Sequence, residues 1–453
     1  MKKAKTTFIC IECGHESPKW LGRCPDCGEW DTIQEQTRQP DSPANTLATT
    51  IHAPGPLASF KSNEGQRLSS GITEFDRILG GGFVRGSLVL LGGEPGIGKS
   101  TILLQSLIRI ASRGEKVLYA SGEESMEQIK ARAERLGACP ESLWSVPETR
   151  TDLLMEMANR LKPDFIAVDS IQTMTSGNLT SAAGSISQIR EATSWLMILA
   201  KQLSIPVIII GHVTKDGVIA GPRALEHLVD CVLYFEGDRS QSLRMLRTVK
   251  NRYGPTFETG VFEMTDKGLT EVENPSALFM GNNMGDSSGS AVVPCMEGTR
   301  PILVEIQALV TQSYIAMPRR TSTGVDANRL ALLVAVTEKH LHYPLYDKDI
   351  FINATGGLKI TEPAADLGIT ASLISSLLEK PLRAGTAIFG EIGLTGEIRP
   401  VPGSDLRILE AERLGFHTCV TPVCRQNTVK KSNRVRIINA GSLAEAMEHL
   451  FET

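Results

Sequence analysis

Residues 93–100 read Gly-Glu-Pro-Gly-Ile-Gly-Lys-Ser. Glycines at 93, 96 and 98 let a backbone curl tightly and aim successive N–H groups at one point. Lys99 adds a cation for β- and γ-phosphate oxygens, and the Ser100 hydroxyl suits Mg²⁺. The expected cofactors are therefore ATP and Mg²⁺. They would be held along Gly93, Glu94, Pro95, Gly96, Ile97, Gly98, Lys99, Ser100 and Thr101. Phosphoryl transfer also needs an acid beside the metal, at the end of a neighbouring strand. Asp169, after the apolar run Phe165-Ile166-Ala167-Val168, meets that need, so Ser100 and Asp169 are the expected Mg²⁺ ligands. A further carboxylate must orient the attacking water. Glu123 and Glu124 both follow a strand-like run, and spacing does not choose between them. Each also suits a helix N-terminus, where acids are favoured by the dipole.

A second constellation lies near the start. Cys10-x-x-Cys13 and Cys24-x-x-Cys27 are two knuckles ten residues apart. Four thiolates at this spacing complete a closed tetrahedral Zn²⁺ site. A segment this short cannot bury a stable core, so metal ligation would supply its folding energy.

These groups need a scaffold. Strand-like runs at Ser87–Leu91, Lys116–Ala120, Phe165–Val168 and Pro206–Ile210 alternate with helix-like runs. The latter fall at Thr101–Arg113, Met126–Leu136 and Ile186–Leu203. That alternation predicts a mostly parallel sheet with helices on both faces. Runs at Cys231–Phe235, Leu243–Lys250 and Phe257–Met264 extend it at one edge. Pro, Ser, Thr and Asn dominate residues 34–66, which reads as a linker, and 281–290 forms another break. The expected organisation is a zinc module at 1–33, a linker at 34–66, an ATPase domain at 67–275 and a C-terminal domain at 276–453. With 453 residues, two or three domains are expected. Net charge is −4, so a nucleic-acid surface must be a local patch. No apolar run approaches the ~18 residues of a membrane span. Met1-Lys2-Lys3 is followed by too short an apolar stretch for a signal peptide. The expectation is a cytoplasmic protein without a membrane partner.

Ser70-Gly71-Ile72-Thr73-Glu74-Phe75-Asp76 and Gly80-Gly81-Gly82-Phe83-Val84-Arg85-Gly86-Ser87 lead into the phosphate loop as in RecA-like and KaiC-like ATPases. Lys250-Asn251-Arg252-Tyr253-Gly254 resembles the K-N-R-F-G motif of the bacterial RadA (Sms) family of DNA-repair ATPases, with Tyr for Phe. The resemblance covers nearly the whole chain. It implies a hexameric ring with DNA-stimulated ATP hydrolysis and branch migration of recombination intermediates on single-stranded DNA. It also implies the recombinase RecA as a partner, and the zinc module would contact a further protein. Lys250 and Arg252, two residues apart on a strand, share a face. The pair would reach a neighbouring subunit's γ-phosphate, as an arginine finger does, or hold DNA phosphates. By the same resemblance His212, at a strand end, is a candidate γ-phosphate sensor. The loops 173–185 and 213–223 are DNA-contact candidates, the second carrying Lys215 and Arg223.

The C-terminal half resembles the proteolytic domain of Lon through Val325–Leu330, Thr361–Ala365 and Gly390–Pro400. The expected fold is thus a zinc ribbon, a RecA-like α/β core and an α+β Lon-like domain. A peptidase of that kind needs a serine and a lysine. Alignment puts Ala364 and Asp405 at those positions, so an inactive domain is expected. Arg319, Arg320 and Arg329 are the cations expected on a DNA-facing surface there.

Overall fold

The structure is a computed structural model. It describes residues 5–10, 16–26, 28–30, 32–38, 67–137, 139–212, 225–237, 242–256, 258–280, 287–315, 317–423 and 434–451. The chain forms two compact units, Met1–Val272 and Glu273–Thr453.

In the N-terminal module β1 (Lys5–Cys10) pairs antiparallel with β2 (Glu16–Ser17) and β3 (Ile33–Arg38). The ladder runs to Arg38, past the expected end of the module at 33, because β1 offers a pairing edge as far as Lys5. Cys10, Cys24 and Ile33 are buried together.

The ATPase core opens with β4 (Arg67–Leu68), α1 (Thr73–Leu79) and β5 (Phe83–Val84). There follow β6 (Leu88–Gly93), α2 (Lys99–Ala111), β7 (Val117–Ser121) and α3 (Met126–Arg135). Next come β8 (Leu143–Val146), α4 (Thr151–Leu161), β9 (Phe165–Asp169), α5 (Ile186–Leu203) and β10 (Val207–His212). The edge is closed by β11 (Cys231–Glu236), β12 (Leu243–Asn251), β13 (Thr259–Thr265) and β14 (Gly268–Glu271). The sheet order is β14-β13-β12-β11-β6-β10-β9-β7-β8. From β11 to β8 every pairing is parallel, and β12 to β14 continue antiparallel.

Strand alternation sorts the core into two layers. Val89, Leu91, Val117, Tyr119, Phe165, Ala167, Ile208 and Ile210 pack with α1, α2 and α3. Leu88, Leu90, Leu118, Ala120, Ile166, Val168, Val207 and Ile209 pack with α4 and α5. The sequence reading missed β8 and α4. β8 is a four-residue edge strand with no fully buried residue, and α4 starts at Thr151, after Arg150, which supplies no side-chain cap. The Phe257–Met264 run is shifted to β13, and Phe257 lies outside the described residues.

The C-terminal unit holds α6 (Pro275–Phe279), β15 (Ser290–Glu297), β16 (Arg300–Gln312), β17 (Arg320–Thr323) and α7 (Ala327–Leu341). It continues with β18 (Lys348–Ala354), α8 (Asp366–Leu378), β19 (Thr386–Ile388), β20 (Glu391–Ile392) and β21 (Ile398–Arg399). It ends with α9 (Ser404–Arg413), β22 (Thr418–Pro422), β23 (Arg436–Ala440) and α10 (Leu443–Leu450). Its main sheet runs β17-β18-β16-β15-β19-β22-β23. No described helix is long and apolar enough to cross a membrane.

Candidate nucleotide site

Parallel pairing aligns the ends of four strands. His212 lies opposite Gly93, and Asp169 opposite Ser121. The loops after β6, β7, β9 and β10 therefore gather at one edge of the sheet, where open α/β sheets bind ligands. Gly93 has φ 150° and Gly98 has φ 119°, both unsuited to a side chain. A Cβ on Gly93 would meet the Phe235 carbonyl oxygen at 2.9 Å. Helix α2 begins directly after Gly98 with no capping side chain and no acid in its first turn. Its free N–H groups and positive dipole end are left for an anion.

Lys99 is buried, and its Nζ donates to the carbonyls of Gly93 and Glu94, both at 2.8 Å. Burial lowers its pKa to about 8, opposed by the charges of Asp169, Glu123 and Glu94. Asp169 lies on the α2 face of the sheet with Phe165 and Ala167. Tyr119 Oη donates to its Oδ2 at 2.8 Å, and its buried Oδ1 has no hydrogen-bond partner among the described residues. Burial raises the Asp169 pKa, and the nearby Ser100 and Tyr119 hydroxyls oppose that rise. An unpartnered carboxylate oxygen buried near the first hydroxyl of α2 fits a small hard cation, for which oxygen ligands are required.

Glu123 and Glu124 have different surroundings. Glu123 Oε1 lies 3.1 Å from His212 Nε2 and accepts from the Ser170 hydroxyl. The His212 hydrogen bond is the main cause of its lowered pKa, with Ser170 and Lys99 acting the same way against burial. Glu124 Oε1 is instead ion-paired with Arg132 of α3. Gln172 Nε2 donates to the His212 carbonyl at 3.4 Å, joining the turn after β9 to the end of β10.

Lys250 and Arg252 reach one segment, 226–230. Lys250 Nζ donates to the carbonyls of Glu226 (2.6 Å) and Val229 (2.9 Å). Arg252 Nη1 pairs with the buried Asp230 at 3.2 Å. Within one protomer the two cations are thus engaged, not projecting freely, and they fix the turn before β11. Partial burial and the charge of Arg252 lower the Lys250 pKa. Lys215 and Arg223 lie outside the described residues.

In the zinc module Cys10 and Cys24 are buried, and Cys13 and Cys27 lie outside the described residues. The second knuckle closes through Gly28 N to Cys24 O at 3.0 Å, with Gly28 at φ 77°.

In the C-terminal unit Ala364 is buried in a 3-10 turn, Pro363–Ala365, immediately before α8. It presents only a methyl group. The side chain reaching this turn is Arg407, not Asp405. Arg407 Nη1 and Nη2 bond both oxygens of Glu362 at 2.8 and 2.6 Å. The sequence reading missed Arg407, although its place two residues after Asp405 on one helix was available. Arg329 also departs from expectation. Its guanidinium makes a two-pronged ion pair with the buried Asp366, so it braces α7 against α8 and is not a free surface cation. Arg319 and Arg320 are exposed.

Fold and site together define a P-loop ATPase of RecA-like fold, preceded by a zinc ribbon and followed by a Lon-like domain. Family comparison agrees. The KaiC ATPase family matches residues 68–146, the rubredoxin metal-binding domain 8–35, and the Lon protease (S16) C-terminal proteolytic domain 331–451. DNA repair protein RadA of Bacillus subtilis is 47% identical over 453 residues, covering 99% of both chains. The RadA of Listeria monocytogenes is 46% identical over 99% of both chains, and that of Streptococcus pyogenes 46% over 100%. The chain belongs to the bacterial RadA family of DNA-repair proteins.

Proposed function

We propose that this protein couples ATP hydrolysis to movement on single-stranded DNA, driving branch migration of recombination intermediates as a hexameric ring. The observation carrying the hydrolytic half is the convergence of Lys99, Asp169 and the Glu123–His212 pair on one end of the sheet. Glu123 stays ionised because His212 and Ser170 stabilise its charge, so it is the carboxylate suited to orient water and take its proton. Glu124 is held by Arg132 and plays no such part. Ser100 and Asp169 would hold Mg²⁺, which supplies charge neutralisation on the β- and γ-phosphates. Lys99 and the N-terminus of α2 bind the phosphates.

Lys250 lies near the end of β12, and in this reading it serves the γ-phosphate of an adjacent protomer or DNA. His212 transmits nucleotide state to the 213–223 loop, where Lys215 and Arg223 meet DNA. The Lon-like domain builds the assembly and has no peptidase activity, since Ala364 offers no nucleophile. Four cysteines, Cys10, Cys13, Cys24 and Cys27, hold Zn²⁺ in the N-terminal ribbon, which serves a protein partner, with RecA the partner of the motor. The working compartment is the cytoplasm.

The test is ATP turnover of wild type and Lys250→Ala, each with and without single-stranded DNA. DNA should stimulate the wild type and leave Lys250→Ala near its basal rate. Equal rates with and without DNA in the wild type would overturn the motor reading. They would favour a regulatory ATPase of KaiC type, which stable phosphorylation of the chain by labelled ATP would then reveal.

A further inference from the structure

We infer that Tyr119 is a positioning residue for the metal-side carboxylate. This rests on the reading of Asp169 as a Mg²⁺ ligand. Tyr119 is the one hydroxyl-bearing aromatic in the buried strand β7, and its ring packs in the α2-side core layer. Register explains its reach. Asp169 stands opposite Ser121, so Tyr119 is the diagonal neighbour on the same face of the sheet.

The contact divides the two oxygens of Asp169. Oδ2 is engaged by Tyr119 at 2.8 Å, and Oδ1 is buried with no hydrogen-bond partner among the described residues. A carboxylate held by one oxygen loses rotation about its last side-chain bond. The free oxygen then keeps a fixed direction before any ligand arrives, which is how supporting hydrogen bonds orient a metal ligand. Burial raises the Asp169 pKa, and the Ser100 and Tyr119 hydroxyls oppose that rise. Tyr119 itself stays a donor, because burial and Asp169 raise its pKa well above the ordinary phenol value.

The experiment uses the full-length chain and three variants: Tyr119→Phe, Asp169→Asn and the double variant. Phe preserves the packed ring and removes only the donor. Binding of a fluorescent ATP analogue is measured in EDTA and across a Mg²⁺ titration, at several pH values. Tyr119→Phe should leave metal-free nucleotide affinity within about twofold and raise the half-saturating Mg²⁺ concentration by about 10- to 100-fold, the usual cost of losing a hydrogen bond that orients a metal ligand. The double variant should match Asp169→Asn alone, because the phenol acts through that carboxylate. An unchanged Mg²⁺ titration in Tyr119→Phe, with Asp169→Asn strongly impaired, would overturn this inference alone. An unchanged titration in Asp169→Asn would instead overturn the reading of the metal site. If Tyr119→Phe weakened nucleotide binding equally in EDTA, its role would be packing and the inference would fail.

Discussion

Glu123 Oε1 stands 3.1 Å from His212 Nε2, and this contact joins the end of β7 to the end of β10 across the intervening strand β9. The pair links the proposed base to the last residue of β10, directly before the 213–223 segment proposed to meet DNA. Hydrogen bonding to His212 is the largest cause of the low Glu123 pKa, and burial acts in the opposite direction. Replacing His212 by Ala should therefore raise the Glu123 pKa. The acid limb of the pH–rate profile would move to higher pH, since more of the base is protonated at a given acid pH. Turnover at neutral pH should fall about tenfold with little change in KM, the pattern of a group acting through the chemical step. A pH–rate profile for His212→Ala that overlays wild type would show that the contact does not serve hydrolysis.

The two adjacent glutamates give a sharper contrast. Glu123→Gln removes the proton acceptor and should lower kcat by about 10²–10⁴-fold, the usual range for a general base. Glu124→Gln weakens only a partly exposed ion pair with Arg132, so its cost in stability should be about 1 kcal/mol or less. Its kcat should stay within a few-fold of wild type. Single-turnover rates at saturating ATP compare the two directly, and a larger loss in Glu124→Gln would reverse the assignment.

The nucleotide loop was legible in the sequence because each residue there has an identifiable duty at fixed spacing. Asp169 was legible for a related reason: an acid closing an apolar strand is rarely neutral to the site beside it. The choice between Glu123 and Glu124 was not, because both sit at the end of one strand and only the third dimension brings His212 to one of them. Arg329 was misread as a surface cation because its partner Asp366 lies in another helix, and nothing local marks that carboxylate as buried. The same limit hid the carbonyls of Glu226 and Val229 from the reading of Lys250. The weak edge strand β8 lacked the fully apolar run that made its neighbours visible.

Lys99 gives a pH prediction of its own. Its pKa of about 8 lies below the ordinary lysine value of 10.5, and burial is the largest cause. From pH 8 to about 10, lysine in an unfolded chain stays protonated when Lys99 in the nucleotide-free fold does not. The folded state therefore binds fewer protons, and the contribution of this group to stability rises with pH in that window. Nucleotide phosphates would favour the ammonium form. ATP binding at about pH 9 should thus take up a proton, and binding below about pH 7 should not. Calorimetry in buffers of different ionisation enthalpy measures this directly, and equal heats across buffers at both pH values would contradict it.

Arg407 and Glu362 test what has become of the peptidase-like turn. Arg407 is fully buried and meets both oxygens of Glu362, and its Nε donates to the Pro402 carbonyl at 3.1 Å. Glu362 Oε1 also accepts from the Met296 backbone N–H at 2.7 Å, which ties the turn to β15. Replacing Arg407 by Met leaves a carboxylate without its counter-charge and should destabilise this unit by about 3–5 kcal/mol, as for other broken buried pairs. Removing both partners, as Arg407→Met with Glu362→Leu, abolishes the stranded charge and should recover much of that loss, although the Met296 N–H then lacks an acceptor. All four tryptophans lie before residue 273, so tryptophan fluorescence does not report on this unit. Hydrogen exchange in α8 and β15 does. Exchange there should accelerate in Arg407→Met and slow again in the double variant. Equal acceleration in both would mean that Arg407 contributes by packing against Phe389, over whose ring it lies at 5.7 Å, and not by charge.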